Sequence, residues 1–330
     1  MAPMRGGGLA ERVRVALDAY GGDHGIASTG EGALLALSAD PDLEVLFVGS
    51  GEGPSHPRLL PVASAGALPD GGHPAQLLRS HPDLSIGLAT RLVAEGEADA
   101  IVSMGHTGAT MITARWFLKM VEGVSRGPAV GTLPLPVLRP PVFLDLGANA
   151  VCDAGDLAAF AALGAAYAEV VTGLGNPRVA LLANGTEEGK GTPVLQEAYG
   201  LLKASGLNFV GYIEPVAIGD MLADVIVTDG FSGNLVIKTI EGIAQLMLSR
   251  HGEALDKEHG GLVGELSRMT DVTRSDDPIV LLGARGVVVP GHGRSGPEDV
   301  KRAVLKAAVA VRGDLVGHVA RSLAMITVKE

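Results

Sequence analysis

Residues 229–234, DGFSGN, separate an apolar run at residues 223–228 from an amphipathic run that begins at Leu235. The first run favours a buried strand, and the apolar residues of the second recur every three or four positions, which favours a helix. We therefore predict a strand that ends in a tight glycine turn and opens a helix. Such a turn points backbone N–H groups and the positive end of a helix dipole at one spot, which suits a phosphate or a developing oxyanion.

The same alternation of apolar strand, turn and helix recurs along the chain. Strands are expected at residues 13–19, 43–48, 100–104, 130–135, 142–146, 178–183, 209–213, 223–228 and 286–289. Most are separated by helical runs of 10 to 20 residues, which predicts an α/β fold with a three-layer, doubly wound and mostly parallel sheet. Little separates the runs at 130–135 and 142–146, so part of the sheet is expected to be antiparallel.

The domain organisation is predicted to be simple. Residues 1–12 are expected to form a flexible tail, and residues 13–330 a single α/β catalytic domain. Residues 51–72, rich in Pro and Gly, are predicted to be an irregular connection. Residues 251–277 are polar and contain several glycines, which predicts a mobile, protruding segment.

Composition restricts the possible functions. The net charge of −11 argues against a nucleic-acid partner. A single cysteine excludes a disulfide framework and a cysteine-based zinc site. No apolar run reaches the roughly 18 residues of a spanning helix, and the first residues do not have the pattern of a secretory signal. We therefore expect a cytoplasmic protein.

Six turns of similar composition follow predicted strands. They are GGDHG at residues 21–25, GHTG at 105–108, LGAN at 146–149, NGTEEGKG at 184–191, DGFSGN at 229–234 and GHG at 291–293. Glycine permits close approach of the backbone to an anion, and ligands of such sheets bind at the carboxyl ends of the strands. We therefore predict that the turns converge on one anion site. Its expected binding residues are Gly21, Gly22, Asp23, Gly105, Thr107, Gly108, Asn149, Asp229, Ser232, Gly233 and His292.

Other catalytic chemistries lack their motifs. The chain has no GxxxxGK[ST] phosphate loop, no HExxH, no GxSxG and no GxGxxG after the first strand. His24, His106 and His292 could converge, but no spacing demands a metal, and no metal or cofactor is predicted. Cys152, at the entry of an apolar helix, is interpreted as a structural thiol rather than a nucleophile.

At these turns the chain resembles the acyl-ACP:phosphate acyltransferases of bacterial phospholipid synthesis. The resemblance extends from about residue 13 to residue 310. The matching pieces are VALDAYGGDHG, EGEADAIVSMGHTGA, LDLGANAVC, VALLANGTEEGKG, NFVGYIE, ADVIVTDGFSGNLVIKTIEG and LLGARGVVVPGHG. It implies a fold similar to phosphate acetyltransferases and isocitrate-dehydrogenase-like enzymes. It also implies inorganic phosphate and acyl carrier protein as substrates, a homodimer, and weak peripheral contact with the inner face of the membrane.

Catalytic roles follow from the turns and the resemblance together. Phosphate is itself the nucleophile, so no Ser or Cys nucleophile is required. Lys190 is expected to bind phosphate charge or to protonate the leaving sulfur, and Asn234 to donate to phosphate or to the oxyanion. His24 and His106 are candidates to complete the catalytic set. Asp229 is expected to orient its own loop, because a carboxylate beside phosphate repels it.

The sequence is also compatible with other functions. The chain has His106 where the family usually has Asn, and RSHPDLS at residues 79–85 in place of a basic stretch. These departures leave room for acyl-CoA as the donor or for a paralogue in a specialised pathway. An NAD-dependent dehydrogenase of similar fold and a non-catalytic scaffold that binds acyl carrier protein are the alternatives from other classes.

Overall fold

The computed structural model describes residues 12–51, 53–69, 73–258, 261–270 and 278–326, with the side chains of 253–258 left aside. The strands are β1 (Val13–Asp18), β2 (Leu43–Gly49), β3 (Leu59–Ala63), β4 (Ala100–Ser103), β5 (Ala129–Thr132), β6 (Val142–Leu144), β7 (Val179–Leu182), β8 (Phe209–Ile213), β9 (Val225–Val227), β10 (Val280–Leu281) and β11 (Val287–Pro290). The α-helices are α1 (Gly25–Ala39), α2 (Pro74–Ser80), α3 (Ser85–Ala94), α4 (Thr107–Thr113), α5 (Ala154–Tyr167), α6 (Pro193–Lys203), α7 (Gly230–Glu258), α8 (Leu262–Met269), α9 (Pro297–Arg312) and α10 (Leu315–Ala324).

The chain divides into two compact units. The first comprises Met1–Val121 and Pro278–Val316, and the second comprises Glu122–Asp277 and Gly317–Glu330. The predicted single domain over residues 13–330 concerns both units together and stays a prediction. Residues 1–11 of the predicted tail lie outside the described residues.

The first unit is built on strands in the order β3-β2-β1-β4-β11-β10. The pairs from β3 through β11 are parallel, and β10 runs antiparallel to β11. Helices α1 and α9 pack against each other and against these strands, while α3 packs on β1, β2 and β4. Because β1, β4 and β11 are parallel neighbours, the turns that follow them leave the same edge of the sheet.

The second unit has strands in the order β5-β6-β9-β7-β8. Strand β5 is antiparallel to β6, as the short separation of the two runs predicted, and the remaining pairs are parallel. The mostly parallel α/β fold expected from the sequence is therefore confirmed. The turns after β6, β9, β7 and β8 again leave one edge of the strands.

Helix α5 is the core helix of the second unit. Its start is fixed by a capping box, in which Asp153 accepts the N–H of Asp156 at 2.8 Å and Asp156 accepts the N–H of Asp153 at 3.2 Å. Contrary to the expectation from the sequence, the segment Ala154–Thr172 is long and apolar enough to cross a membrane by length and composition, but most of it is buried inside the protein. A Cβ on Gly164 would lie 2.6 Å from Val225, so only glycine allows this close approach to β9.

Several short elements were not predicted. Strand β3 lies within the expected irregular connection at residues 51–72, of which residues 52 and 70–72 lie outside the described residues. Helix α2 and strand β10 were also missed. The polar segment at residues 251–277 contains the end of α7 and the whole of α8, which pack against each other. Its remaining residues, 259–260 and 271–277, are not described, and its mobility stays a prediction.

Candidate active site

Three of the predicted turns meet in the first unit, at the ends of β1, β4 and β11. The N–H of Asp23 donates to the carbonyl of Gly293 at 2.6 Å. A Cβ on Gly21 would lie 2.7 Å from the backbone nitrogen of Met104, and Gly22 adopts a φ of +87°. The glycines here therefore allow turns from neighbouring strands to touch through their backbones.

A buried network that the sequence reasoning missed lies beneath these turns. The Oγ of Ser103 donates to Asp18 at 2.8 Å and accepts the N–H of Gly105 at 3.2 Å. Asp18 also accepts the N–H of Tyr20 at 3.2 Å. Burial raises the pKa of Asp18, while hydrogen bonds from Ser85, Ser103 and Tyr20 act to lower it. The two polar side chains thus connect the turn after β1 to the turn after β4.

Each of these three turns contains one histidine: His24, His106 or His292. His24 and His106 are exposed, and each precedes the first residue of a helix, α1 and α4 respectively, without a side-chain capping bond. The ring of His106 lies over Gly108, where a Cβ would be 3.0 Å from its Cε1 atom. The N–H of His292 donates to the hydroxyl of Ser295 at 3.2 Å. The first unit therefore presents two exposed imidazoles at one strand edge.

In the second unit, the buried carboxylate of Asp145 organises the LGAN turn. Its Oδ1 accepts the N–H groups of Ala129, Gly147 and Ala148 at 3.0, 3.1 and 2.9 Å. Its Oδ2 accepts the N–H and the side-chain amide of Asn149 at 2.7 and 2.8 Å. Burial raises the pKa of Asp145, and these hydrogen bonds oppose the shift. Asp145 was not singled out from the sequence, although an Asp at the start of a glycine turn is a known signal of such capping.

The amide of Asn149 is already engaged inside this turn. Its Nδ2 also donates to the carbonyl of Gly127 at 2.9 Å. The backbone carbonyl of Asn149 accepts the N–H of Gly230 at 2.7 Å. Asn149 therefore joins the turn after β6 to the start of α7. Its predicted contact with phosphate stays a prediction.

The DGFSGN stretch differs in detail from the predicted turn. Helix α7 already begins at Gly230, so five of the six residues belong to the start of this helix. Asp229 accepts the N–H of Ser232 at 2.8 Å and the Ser232 hydroxyl at 2.9 Å. The N–H groups of Gly230 and Gly233 donate to the carbonyls of Asn149 and Asp229. The expectation that this turn offers several backbone N–H groups to an anion is thus corrected, because those of Gly230, Ser232 and Gly233 already donate to acceptors within the protein.

Gly233 and Asn234 lie against the LGAN turn. A Cβ on Gly233 would be 2.0 Å from the carbonyl oxygen of Asp145. Close packing alone therefore explains why this position is a glycine. The side chain of Asn234 is next to Gly147, where an added Cβ would be 3.4 Å from the Asn234 Cβ. Asn234 is exposed, so its amide is accessible beside the turn.

Lys190 lies in the turn after β7. Its side chain is half exposed, lies beside Gly185 and places Nζ 3.9 Å from Glu187. The turn is closed by Asn184, whose Oδ1 accepts the N–H of Gly191 at 3.1 Å. Thr192 caps α6 by accepting the N–H of Leu195 at 3.3 Å, with Pro193 as the first helical residue.

Cys152 has the environment of a structural thiol. Its Sγ donates to the carbonyl of Asn149 at 3.6 Å. Burial, and then the nearby charges of Asp145, Asp156 and Asp229, raise the pKa of Cys152 to about 12. The thiolate that a nucleophile needs is therefore disfavoured at neutral pH.

A cleft in the second unit collects residues from the ends of four parallel strands. It has a volume of about 850 Å³. Its polar lining residues are Asn184, Thr192, Glu214, Thr228, Asp229 and Ser232. Of the predicted site residues in this unit, Asp229 and Ser232 line the cleft, whereas Asn149, Lys190, Gly233 and Asn234 lie outside its lining. The prediction that the turns of both units form one site stays a prediction.

Comparison with solved structures defines the class of the fold. The EutD phosphotransacetylase from Staphylococcus aureus matches with a TM-score of 0.61 at 18% identity, over 92% of this chain and 95% of that protein. A branched-chain phosphotransacylase from Enterococcus faecalis V583 matches with a TM-score of 0.60 at 14% identity, over 91% and 99%. At these identities the likeness concerns the fold alone, which is that of the phosphotransacylases.

Sequence comparison identifies the family. Residues 13–317 match the family model described as "Fatty acid synthesis protein". The phosphate acyltransferase of Aeromonas salmonicida (strain A449) is 38% identical over 325 residues, covering 94% of this chain and 96% of the relative. That of Desulfitobacterium hafniense (strain Y51) is 36% identical over 336 residues, covering 96% and 98%. The chain belongs to this phosphate acyltransferase family of fatty acid and phospholipid synthesis, and it is an enzyme, as the resemblance predicted. Phosphate and a carried acyl group are its substrates.

Proposed function

We propose that the protein transfers a fatty acyl group from the thioester of acyl carrier protein to inorganic phosphate, which gives an acyl phosphate and the free carrier thiol. The observation that carries this proposal is the cleft of the second unit, which gathers the ends of β6, β7, β8 and β9 around a few polar side chains. Substrates of open α/β sheets bind at such strand ends.

The reaction needs positioning more than covalent catalysis. A phosphate oxygen attacks the thioester carbonyl, the carbonyl oxygen becomes negative, and the carbon–sulfur bond then breaks to release the thiolate. Holding the two reactants in place can supply roughly 7–11 kcal/mol of the barrier. A donor to the oxyanion contributes on the order of 3 kcal/mol.

We assign these tasks to side chains that have accessible donors. Lys190 is half exposed and is paired only loosely with Glu187 at 3.9 Å, so its ammonium group is available for phosphate or for the departing sulfur. Asn234 provides an exposed amide donor for phosphate or the oxyanion. In the first unit, His24 and His106 are the exposed imidazoles proposed to contact phosphate.

A screen of acyl donors tests the proposal. The protein is incubated with phosphate and matched acyl-carrier-protein and acyl-CoA thioesters, and the acyl phosphate is measured by mass spectrometry. We expect acyl phosphate with the carrier-protein donors and much slower formation with acyl-CoA. Faster turnover of acyl-CoA would instead support the CoA-dependent alternative, and turnover confined to one unusual acyl group would support a specialised paralogue.

We also propose a cytoplasmic homodimer with weak membrane contact. Helix α7 exposes the apolar side chains of Leu235, Ile243, Leu246 and Met247, which supports an interface on this helix. Sedimentation velocity tests the dimer, and flotation with anionic lipid vesicles tests the membrane contact. A monomer at micromolar concentration, or protein that stays entirely below the vesicles, would contradict the respective proposal.

A further inference from the structure

A second, apolar pocket lies in the second unit and joins the polar cleft. It has a volume of about 540 Å³. Three segments line it: residues 135–137, the 3₁₀ helix Pro215–Asp220, and the first turns of α7. Pro215, Leu235 and Val236 line both spaces, so the pocket adjoins the cleft where the reaction is proposed.

The chemistry of the lining selects an apolar ligand. Thr239 is the only lining residue with a polar side chain, and its hydroxyl donates to the carbonyl of Leu235 at 2.8 Å. Val216 and Leu235 are 88% and 58% exposed, so a ligand here would remove apolar surface from water. A polar ligand would lose its hydration without gaining a side-chain partner.

The floor of the pocket is part of the core. Ile218 is buried, and Leu135 and Val236 pack against the same hydrophobic cluster. The pocket is therefore held by core packing and exists without a ligand. The volume of about 540 Å³ lies within the range of roughly 300–1,000 Å³ that is typical of small-molecule pockets, so the space is large enough for a hydrocarbon chain.

We propose that this pocket holds the acyl chain of the donor and that the residue at position 219 limits the length of chain that it accepts. The inference rests on the proposed acyl transfer, because the thioester carbon must lie in the adjoining cleft. Gly219 is exposed on the pocket wall, and a Cβ added there would meet no heavy atom within 4 Å. A larger side chain at this position would therefore meet no steric conflict at its Cβ, and it would lie beside the lining of the pocket.

The test compares Gly219→Phe with wild type on saturated acyl-carrier-protein donors of 4 to 18 carbons. Each buried methylene strengthens binding by about fourfold, so a ring that displaces several of them is expected to lower kcat/KM for the longest donors by at least about tenfold. Donors of 4 to 6 carbons are expected to react within about twofold of wild type. Thr239→Phe, at an exposed helix position on the same pocket, is expected to shift the profile in the same direction.

The matched control is Gly200→Phe on α6. Gly200 is also exposed, also has no heavy atom within 4 Å of an added Cβ, and does not line either space. We expect this variant to keep the wild-type chain-length profile. Equal losses for short and long donors in Gly219→Phe, or no change in either, would overturn the proposal. A change in sedimentation with an unchanged profile would also overturn it and would identify the pocket as an interface between copies.

A binding measurement separates this inference from the proposed function. The full chain is titrated with a fluorescent dansyl-undecanoic acid probe, and palmitate is used to displace it. Wild type and Gly200→Phe are expected to bind the probe, and Gly219→Phe to bind it at least about tenfold more weakly. If no donor yields acyl phosphate, the proposed function fails, while probe binding that depends on position 219 still supports a hydrocarbon pocket. Equal binding by all three proteins would refute the pocket even if acyl phosphate forms.

Discussion

The carboxylate of Asp229 accepts both the backbone N–H and the hydroxyl of Ser232, at 2.8 and 2.9 Å. It thereby caps α7 at the residue before the helix begins. A carboxylate committed to its own helix acts as a positioning group rather than as a general base.

This role predicts different outcomes for two substitutions at one position. Asp229→Ala should lower the free energy of unfolding by about 1 kcal/mol, because the helix cap is lost. Asp229→Asn keeps a capping oxygen and should retain most of the stability and kcat. Chemical denaturation and acyl phosphate formation measure the two effects. An inactive but stable Asp229→Asn would indicate a catalytic base instead.

Lys190 is expected to carry a large share of the catalytic effect. Lys190→Ala should lower phosphate-dependent thioester cleavage by about two orders of magnitude, because the charge that binds phosphate or assists the leaving sulfur is removed. The circular dichroism spectrum should not change, since the side chain is half exposed. Lys203→Ala, which removes an exposed partner of Glu188, is the control and should remain near wild type. Near-normal turnover in Lys190→Ala would rule out the assignment.

Gly233 is predicted to be required by packing. Gly233→Ala would place a Cβ 2.0 Å from the Asp145 carbonyl oxygen, and we expect a loss of about 3 kcal/mol of stability or more. Gly242→Ala lies on the same helix, where an added Cβ meets no atom within 4 Å, and should stabilise the protein by up to about 1 kcal/mol. Thermal unfolding of both variants provides the measurement. Similar melting temperatures would show that α7 does not approach the turn this closely.

Cys152 is predicted to be unreactive at neutral pH. With its pKa raised to about 12, mainly by burial, the thiol stays protonated across the physiological range. Alkylation by iodoacetamide at pH 8 should be at least about a hundredfold slower than that of a free thiol. The rate should still be rising as the pH increases through 10. A plateau below pH 9 would mean that the thiolate forms readily and would reopen a nucleophilic role.

The sequence predicted the strand-and-turn arrangement because the signals are local. An apolar run followed by glycine and a helical period indicates a strand end wherever it occurs, and the turns after β1, β4 and β11 were found in this way. Strand β3 was missed because it contains Pro61 and is largely exposed at the edge of its unit's strands. Those features are typical of an edge strand but also of a loop.

The structural roles of individual residues in the candidate site were harder to predict from the sequence. The glycines at positions 230 and 233 suggested space for an anion, yet the structure places Asn149 and Asp145 in that space. A sequence pattern indicates that a small residue is needed, but not which neighbour requires it. The buried acids Asp18 and Asp145 were overlooked for the related reason that their partners are backbone N–H groups and small polar side chains, which have no distinctive spacing.

The deep burial of α5 has a consequence for the newly made chain. The strand β9 and the helix α6 that cover it are encoded roughly 20 to 70 residues later, so they leave the ribosome after it. At typical synthesis rates of about 5–20 residues per second, the apolar segment exists for several seconds before β9 and α6 have been synthesised. During that interval it has the length and hydropathy of a membrane segment. A holdase or a targeting factor that recognises such helices would therefore encounter this protein only during its synthesis.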